Sequence, residues 1–320
     1  MNKSSVNILC ATDDNYVPYC GIMLTSLFEN NKDSKVFVYV IIDKPLSSSN
    51  ESKFKQLAIT YHQQIEFVLI NNELLAKFPT KGMDYWSIAM YYRIFAAELL
   101  PQTVSKLLYL DCDIIVNGSI KEMFNIDLQG KAIGCISDIY IYADECQKRL
   151  GYMQTDGYFN SGVLLMNLDY WREYGVCQKC LIYLNQNYDR LFANDQDVLN
   201  AVLHDKKIDL PLKYNFQLQF LSNHFFNLQT KEMQQQIMKT VNNPIIMHYA
   251  YRTKPWNVMY YKMPFLSLWK EYKNKSLWKW MLPTLPKGRK SLNWLVKRFL
   301  LWPLGIMKYN SSFVQFFNYD

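Results

Sequence analysis

Short apolar runs alternating with helical stretches predict an α/β fold, with a mostly parallel central sheet flanked by helices and a helical C-terminal tail. Residues 6–12, 36–42 and 65–70 are runs of aliphatic and β-branched side chains, too short for core helices and continuous enough to be buried on both faces. Between them, residues 21–30 and 47–63 read as helices, the second opened by Pro45 and serines. The 320 residues are 50% hydrophobic and 20% charged, with 24 Tyr and 18 Phe, which suits an aromatic-rich core and excludes disorder throughout.

Further along, residues 87–99 read as a helix carrying Arg93 amid Met90, Tyr91, Ile94 and Phe95. Residues 106–116 (KLLYLDCDIIV) read as one strand interrupted by Asp111 and Asp113. Residues 132–137 form a strand ending at Asp138, and 162–167 another, entered from Phe159, Asn160 and Ser161. Residues 170–188 are helical in pattern, and a second helix begins at Asn194, whose Asn/Asp start suits a cap. Residues 244–248 make a short strand that delivers His248 into a loop. In such a sheet, loops at the carboxyl ends of strands form the binding crevice, and Asp13, Asp14 and Asn15 follow the first strand in such a loop. No glycine-rich phosphate fingerprint accompanies them, so dinucleotide and P-loop readings lose weight.

The net charge of +7 is unevenly placed. From Lys254 onward there are twelve Lys or Arg against two acids, whereas residues 1–253 carry 23 basic and 26 acidic groups. The basic segment also holds six of the eight tryptophans, an interfacial composition more than a duplex-binding one. We therefore divide the chain into a main domain, 1–260, and a basic aromatic helical tail, 261–320. Residues 289–302 form the best amphipathic candidate, with Leu292, Leu295, Val296, Phe299 and Trp302 at helical spacing. They can attach peripherally to an anionic membrane surface or pack on the main domain. No nucleic-acid partner is expected, because the body is mildly acidic and lacks an RNA-module signature. Seven cysteines, an odd number lying partly in apolar runs, argue against a disulfide framework, and Cys177 and Cys180 read as chance spacing. The opening residues are neither a signal peptide nor an anchor in pattern, and a cytoplasmic location is expected.

Asp111 and Asp113, two apart on a strand, would share a face. Two acids in so apolar a run need a cation or dense hydrogen bonding, or else the strand ends sooner and leaves them in solvent. A divalent cation on oxygen ligands suits Mg²⁺ or Mn²⁺, the latter better if His248 joins. Metal and carboxylates together suit a diphosphate ligand, with Arg93 and Lys254 as further positive charge. Taken singly, Arg93 reads equally well as a surface ion pair and Lys254 as a solvated lysine.

In order along the chain, ATDDNY (11–16), Tyr92-Arg93, YLDCDIIV (109–116), FNSGVLLMNLDYWR (159–172), NDQDVLN (194–200) and HYAYRTKPW (248–256) closely resemble glycosyltransferase family 8. This family comprises retaining sugar-nucleotide transferases with the GT-A fold, a Rossmann-like sheet, and includes bacterial lipopolysaccharide galactosyl- and glucosyltransferases. The resemblance implies that Asp13 and Asn15 contact the base and ribose, with Tyr16 stacking on the base. It implies Asp111, Asp113 and His248 as Mn²⁺ ligands, Mg²⁺ being the alternative ion, and Lys254 as the diphosphate lysine. Arg93, Asp138, Asn160, Asp195 and Gln196 would surround the donor sugar. The implied reaction moves galactose or glucose from UDP-galactose or UDP-glucose, with retention, to a glycan or lipid-linked acceptor such as lipopolysaccharide, at the inner face of the cytoplasmic membrane. For retention, Gln196 is a poor nucleophile, so a front-face route is preferred, with Asp195 orienting or stabilising. A UDP-sugar-binding protein without activity and a metal-dependent nucleotidyltransferase are the alternatives. The chain departs from the family's His-x-x-Gly-x-x-Lys-Pro loop at Tyr251, which stands in the glycine's place, and has Tyr85 or Trp86 where related galactosyltransferases place a histidine.

Overall fold

The computed structural model describes residues 5–75, 88–139, 144–251, 253–258, 263–285 and 296. Ten strands are described: β1 (Ser5–Ala11), β2 (Lys35–Ile42), β3 (Gln64–Leu69), β4 (Lys106–Leu110), β5 (Ile114–Val116), β6 (Ile133–Ser137), β7 (Phe159–Asn167), β8 (Lys207–Asp209), β9 (Phe216–Gln217) and β10 (Ile246–His248). The main sheet runs β3-β2-β1-β4-β7-β6-β8, and a small sheet runs β5-β10-β9. β1 to β4 are mutually parallel, as are β6 and β8, whereas β7 runs antiparallel between β4 and β6.

Alternate residues supply two cores, one per sheet face, which is why the strands read as unbroken apolar runs. Val6, Ile8 and Cys10 of β1 join one core while Leu9 joins the other; Leu108 and Leu110 of β4 face the first, Leu107 and Tyr109 the second. The helix Val17–Glu29 fills the first core and is buried from Val17 to Phe28 except at Pro18. Helix Val176–Asn187 sends Val176, Cys177, Cys180, Leu181 and Leu184 into the second, so both cysteines of the CxxC are core side chains.

Chain order runs outward from β1 through β2 to β3, then jumps to β4 on β1's other side. The loops after β1 and β4 therefore diverge, opening a crevice at their carboxyl ends. Asp13 to Tyr16 follow β1 and Asp111 to Asp113 follow β4, so both groups edge this crevice.

Several expected elements differ. Residues 106–116 are not one strand: β4 ends at Leu110, Asp111 to Asp113 form a turn, and β5 leaves for the small sheet, pairing with β10. The helical segment around Arg93 is a 3-10 helix, Ile88–Phe95, continued by one α-turn at Ala96–Leu99. The expected helix 170–188 is two, Leu168–Glu173 and Val176–Asn187, divided at Gly175, whose φ is +58°. Asn194 precedes the helix Asp195–Leu203 at φ +48° but makes no side-chain cap bond.

Beyond residue 260, the described stretch 263–285 packs on the body. Leu266, Trp269, Tyr272 and Trp278 belong to the first core, and Tyr272 Oη accepts from Asn30 Nδ2 at 2.7 Å. The Trp278 ring lies where a Cβ on Gly21 would be, 2.0 Å away. The amphipathic candidate 289–302 lies, apart from Val296, outside the described residues, as do Tyr85 and Trp86.

Candidate active site

Asp111, Asp113 and His248 each offer a ligand atom, all within 4.8 Å of one another. The geometry comes from the corner between the two sheets. Leaving β4, the chain turns through Asp111-Cys112-Asp113, and β10, antiparallel to β5, brings His248 opposite Ile114. Asp111 N donates to Gly162 O on β7 at 2.9 Å, and Cys112 Sγ to Ala11 O at the end of β1 at 3.1 Å. His248 Nε2 faces Asp113 Oδ1 at 3.3 Å and Asp111 Oδ2 at 3.9 Å. The two carboxylates thus converge through a turn, where a strand-face argument placed them by alternation.

Two unforeseen residues complete this corner. Asn215 Oδ1, which can only accept, meets His248 Nδ1 at 2.9 Å, so Nδ1 carries a hydrogen and Nε2 is the nitrogen turned to the carboxylates. Gly162 is required by close approach: a Cβ there would stand 2.3 Å from His248 Cε1 and 2.6 Å from Asp111 Oδ2. Glycine inside an otherwise aliphatic strand was the sequence signal for this; Asn215, in an aromatic segment, gave none.

Arg93, 4% exposed, ties the corner to the helix Asp195–Leu203. Its Nη2 meets Asp111 Oδ1 at 2.9 Å and its Nε meets Asp195 Oδ2 at 3.1 Å, while Nη1 donates to Ser161 O at 2.5 Å. Burial opposes its charge, but Asp111 and Asp195 more than compensate and hold it firmly protonated. It is neither a surface ion pair nor a cation standing free toward a ligand. Burial also pushes the Asp195 carboxyl up to about 6, against Arg93 and with the like charge of Asp111. Asp113 is the opposite case: burial would raise it, yet Lys254 and His248 hold it well below the ordinary carboxylate range. Lys254 Nζ donates to Asp113 Oδ2 and to Tyr249 O, the latter at 2.9 Å.

Next to Arg93 lies a second polar group. Asp138 Oδ2 accepts from Asn160 Nδ2 at 2.9 Å and Gln196 Nε2 at 3.2 Å, and Oδ1 accepts from Tyr251 Oη at 2.6 Å. Gln196 Oε1 accepts from Ser161 N at 3.0 Å, and Asn160 Oδ1 from Gly162 N at 3.0 Å and Asn215 Nδ2 at 2.9 Å. One hydrogen-bonded chain thus runs from His248 through Asn215 and Asn160 to Asp138. Beneath it, fully buried Asp197 accepts from Arg149, Tyr158 Oη, Phe192 N and Ala193 N, pinning the approach to Asp195 and Gln196.

At the crevice's other end, Asp13 Oδ1 accepts from Asn15 N and Tyr16 N, each at 2.9 Å, which shapes the loop entering helix Val17–Glu29. Asp14 is clamped by Ser47 and Asn50, whose hydrogen bonds lower its carboxyl. Tyr16 is 42% exposed, edge-on to Trp256 at 6.3 Å, and Trp256 stacks on Tyr19 at 3.8 Å.

A sequence profile described as Glycosyl transferase family 8 matches residues 7–259 of this chain. The chain belongs to glycosyltransferase family 8. Among relatives of this glycosyltransferase, Lipopolysaccharide glucosyltransferase WaaO of Escherichia coli K12 is 31% identical over 302 residues, 92% of this chain and 85% of that protein. Lipopolysaccharide 1,3-galactosyltransferase of Salmonella typhimurium is 29% identical, covering 78% of this chain and 73% of that protein. A crystal structure of galactosyltransferase LgtC in complex with donor and acceptor sugar analogues superposes with a TM-score of 0.73 at 25% identity, over 88% of this chain and 98% of that one. The architecture of this glycosyltransferase is accordingly the GT-A fold.

The corner's chemistry fits a divalent cation. Asp111, Asp113 and Asp195 contact two permanent cations, Arg93 and Lys254, three carboxylates against two positive charges. Two carboxylates with an imidazole Nε2 are a donor set for Mn²⁺ more than for Mg²⁺.

Proposed function

We propose that this glycosyltransferase moves a hexose, galactose or glucose, from a UDP-sugar to a hydroxyl of a lipopolysaccharide or lipid-linked saccharide acceptor, with retention of configuration. The observation that carries the reading is the Asp111-Asp113-His248 corner beside the buried Arg93, Asp138, Asn160 and Asp195, with partly buried Gln196 bonded to them. The names of the two lipopolysaccharide relatives support the acceptor class.

In this reading Asp111, Asp113 and His248 hold Mn²⁺, which when bound neutralises the diphosphate as a leaving group. Lys254, from the adjoining loop, adds positive charge beside the same phosphates. Tyr16 offers its exposed ring to the uracil, with Asp13 and Asn15 at the base and ribose. Asp138, Asn160, Asp195 and Gln196 hold the hexose. The bond from the anomeric carbon to the β-phosphate oxygen breaks, its electron pair leaving with UDP, as the acceptor oxygen bonds from the same face, and the acceptor's proton passes to the departing phosphate. The hydrogen bonding favours this front-face route over a covalent intermediate. Asp195 Oδ2 is engaged by Arg93 and by Ser161 Oγ at 3.2 Å, and the Gln196 amide bonds on both sides, so each orients and stabilises and neither is poised to attack.

The test is incubation with Mn²⁺, a panel of UDP-hexoses and truncated lipopolysaccharide, measuring UDP release and acceptor mass. A gain of one hexose with UDP release is the expected result. Pyrophosphate release would point to nucleotidyl transfer, and UDP-sugar binding without turnover to a binding protein.

For location, no helix among the described residues is long and apolar enough to cross a membrane. We place the enzyme in the cytoplasm, peripheral on the inner face of the membrane, attached through residues 289–302 of the tail 261–320, because 263–285 pack into the core of the catalytic domain 1–260. Substituting Arg289, Lys290, Lys297 and Arg298 by Glu should abolish salt-sensitive binding to anionic liposomes and leave UDP binding intact. Unchanged liposome binding would remove the tail from this role.

A further inference from the structure

Tyr251 stands out on two independent counts. Its φ is +60°, a left-handed backbone that glycine adopts freely and a tyrosine rarely does. Its phenol crosses from the loop after β10 to Asp138 at the end of β6, where Oη donates to Asp138 Oδ1 at 2.6 Å. A strained backbone conformation persists only where the surrounding structure demands it, and such residues cluster at ligand clamps.

The contact changes what Asp138 can do. A carboxylate has about four acceptor positions, and three donors, Tyr251 Oη, Asn160 Nδ2 and Gln196 Nε2, already occupy it. Asp138 is fully buried, whereas Tyr251 is only partly so. At this edge of the polar group, an incoming ligand therefore meets the tyrosine before the carboxylate. With its proton given to Asp138, the phenol can meet a ligand hydroxyl only as an acceptor. Tyr251 also lies three residues after His248 and three before Lys254, so one short loop carries a ligand of the metal corner, this ring and the lysine on Asp113.

From this geometry we propose that Tyr251 is a specificity-determining residue, forming the wall of the donor-sugar pocket at Asp138 and selecting the hexose by a hydroxyl contact and by ring bulk. The proposal rests on the sugar-nucleotide reading above. A site that reads one hydroxyl rejects a sugar presenting it wrongly, because a buried polar group is then left unpaired.

The experiment compares wild type, Tyr251→Phe and Tyr251→Gly with UDP-glucose, UDP-galactose and UDP-N-acetylglucosamine. It reads kcat and KM from UDP release, and the Kd of UDP and of each UDP-sugar by calorimetry. Tyr251→Phe keeps the ring and should lower kcat/KM for the preferred hexose about 10- to 100-fold, with the Kd of UDP within about twofold. Tyr251→Gly suits the left-handed backbone and opens the wall, so the ratio of kcat/KM between donors should shift by about 10-fold or more. Unchanged donor ranking in both variants would overturn the proposal. So would equal weakening of UDP and UDP-sugar, which would make Tyr251 a keeper of the loop. If wild type binds every UDP-sugar no better than UDP and turns none over, it is the sugar-nucleotide reading that fails. Turnover by wild type with unaltered selectivity in the variants sinks only the role of Tyr251.

Discussion

At one end of the crevice, Asp138, Asn160, Asp195 and Gln196 are held by hydrogen bonds from two or more elements, the first three buried and Gln196 partly so; at the other, Asn15 and Tyr16 stand exposed on a loop held by Asp13. In the proposed reaction, the contrast follows from what each end would do. Charge redistribution in a glycosyl transfer is helped by dipoles fixed beforehand, because reorienting them during reaction costs activation energy. Recognition of a flat base needs an accessible aromatic face and little else. Preorganisation is therefore concentrated where the proposed reaction changes bonds.

That contrast can be broken at the metal corner with the largest effect. Asp113→Ala should lower kcat by at least ~10³-fold, chelation of divalent ions in the wild type should match it, and Mn²⁺ should restore only the wild type; UDP-release rates check this. Gly162→Ala should come next. The added methyl meets His248 and Asp111, so the Mn²⁺ concentration for half-maximal activity should rise about 10- to 100-fold, while circular dichroism shows the fold retained. A Mn²⁺ response matching wild type would mean that the corner relaxes around the methyl group.

The third test uses pH. Asp195, raised from 3.8 to about 6, keeps its proton in the folded chain between those values while the unfolded chain has lost it. Its contribution to stability therefore falls as pH rises from about 4 to 6. The melting temperature of Asp195→Asn relative to wild type should increase across that window. If the ionised carboxylate is the working form, wild-type kcat/KM should show an acidic limb near pH 6 that the variant lacks. The smallest effect is expected at the base end. Tyr16→Ala should raise donor KM roughly 10-fold with kcat nearly unchanged, and a fall in kcat instead would mean that the two ends are coupled.

Much of the fold was legible because period and burial leave a mark on sequence. β1, β2, β3 and the helices between them fell within a few residues of expectation, except that the helix after β1 begins at Val17, earlier than residue 21, since Pro18 suits a first turn. The direction of β7 was not legible: a strand buried on both faces reads the same whether parallel or antiparallel. Nor was the break after Leu110, because β4 and β5 are both aliphatic and only their pairing partners differ. Arg93 showed the same limit. Its residue type announced a charge, but only packing revealed two carboxylates around it.

By itself the sequence determined the α/β layering, the crevice loops, the split of charge between body and tail, and which acids, histidine and lysine to gather. These are properties of local pattern and composition. The tertiary structure alone decided that Asp111 and Asp113 converge through a turn, that Asn215 sets the His248 tautomer, that Asp197 anchors the helix start, and that Tyr251 closes on Asp138. The Asn215–His248 and Tyr251–Asp138 contacts join atoms from distant segments. No local periodicity encodes such a contact; it exists only once both sheets and the helices between them have packed.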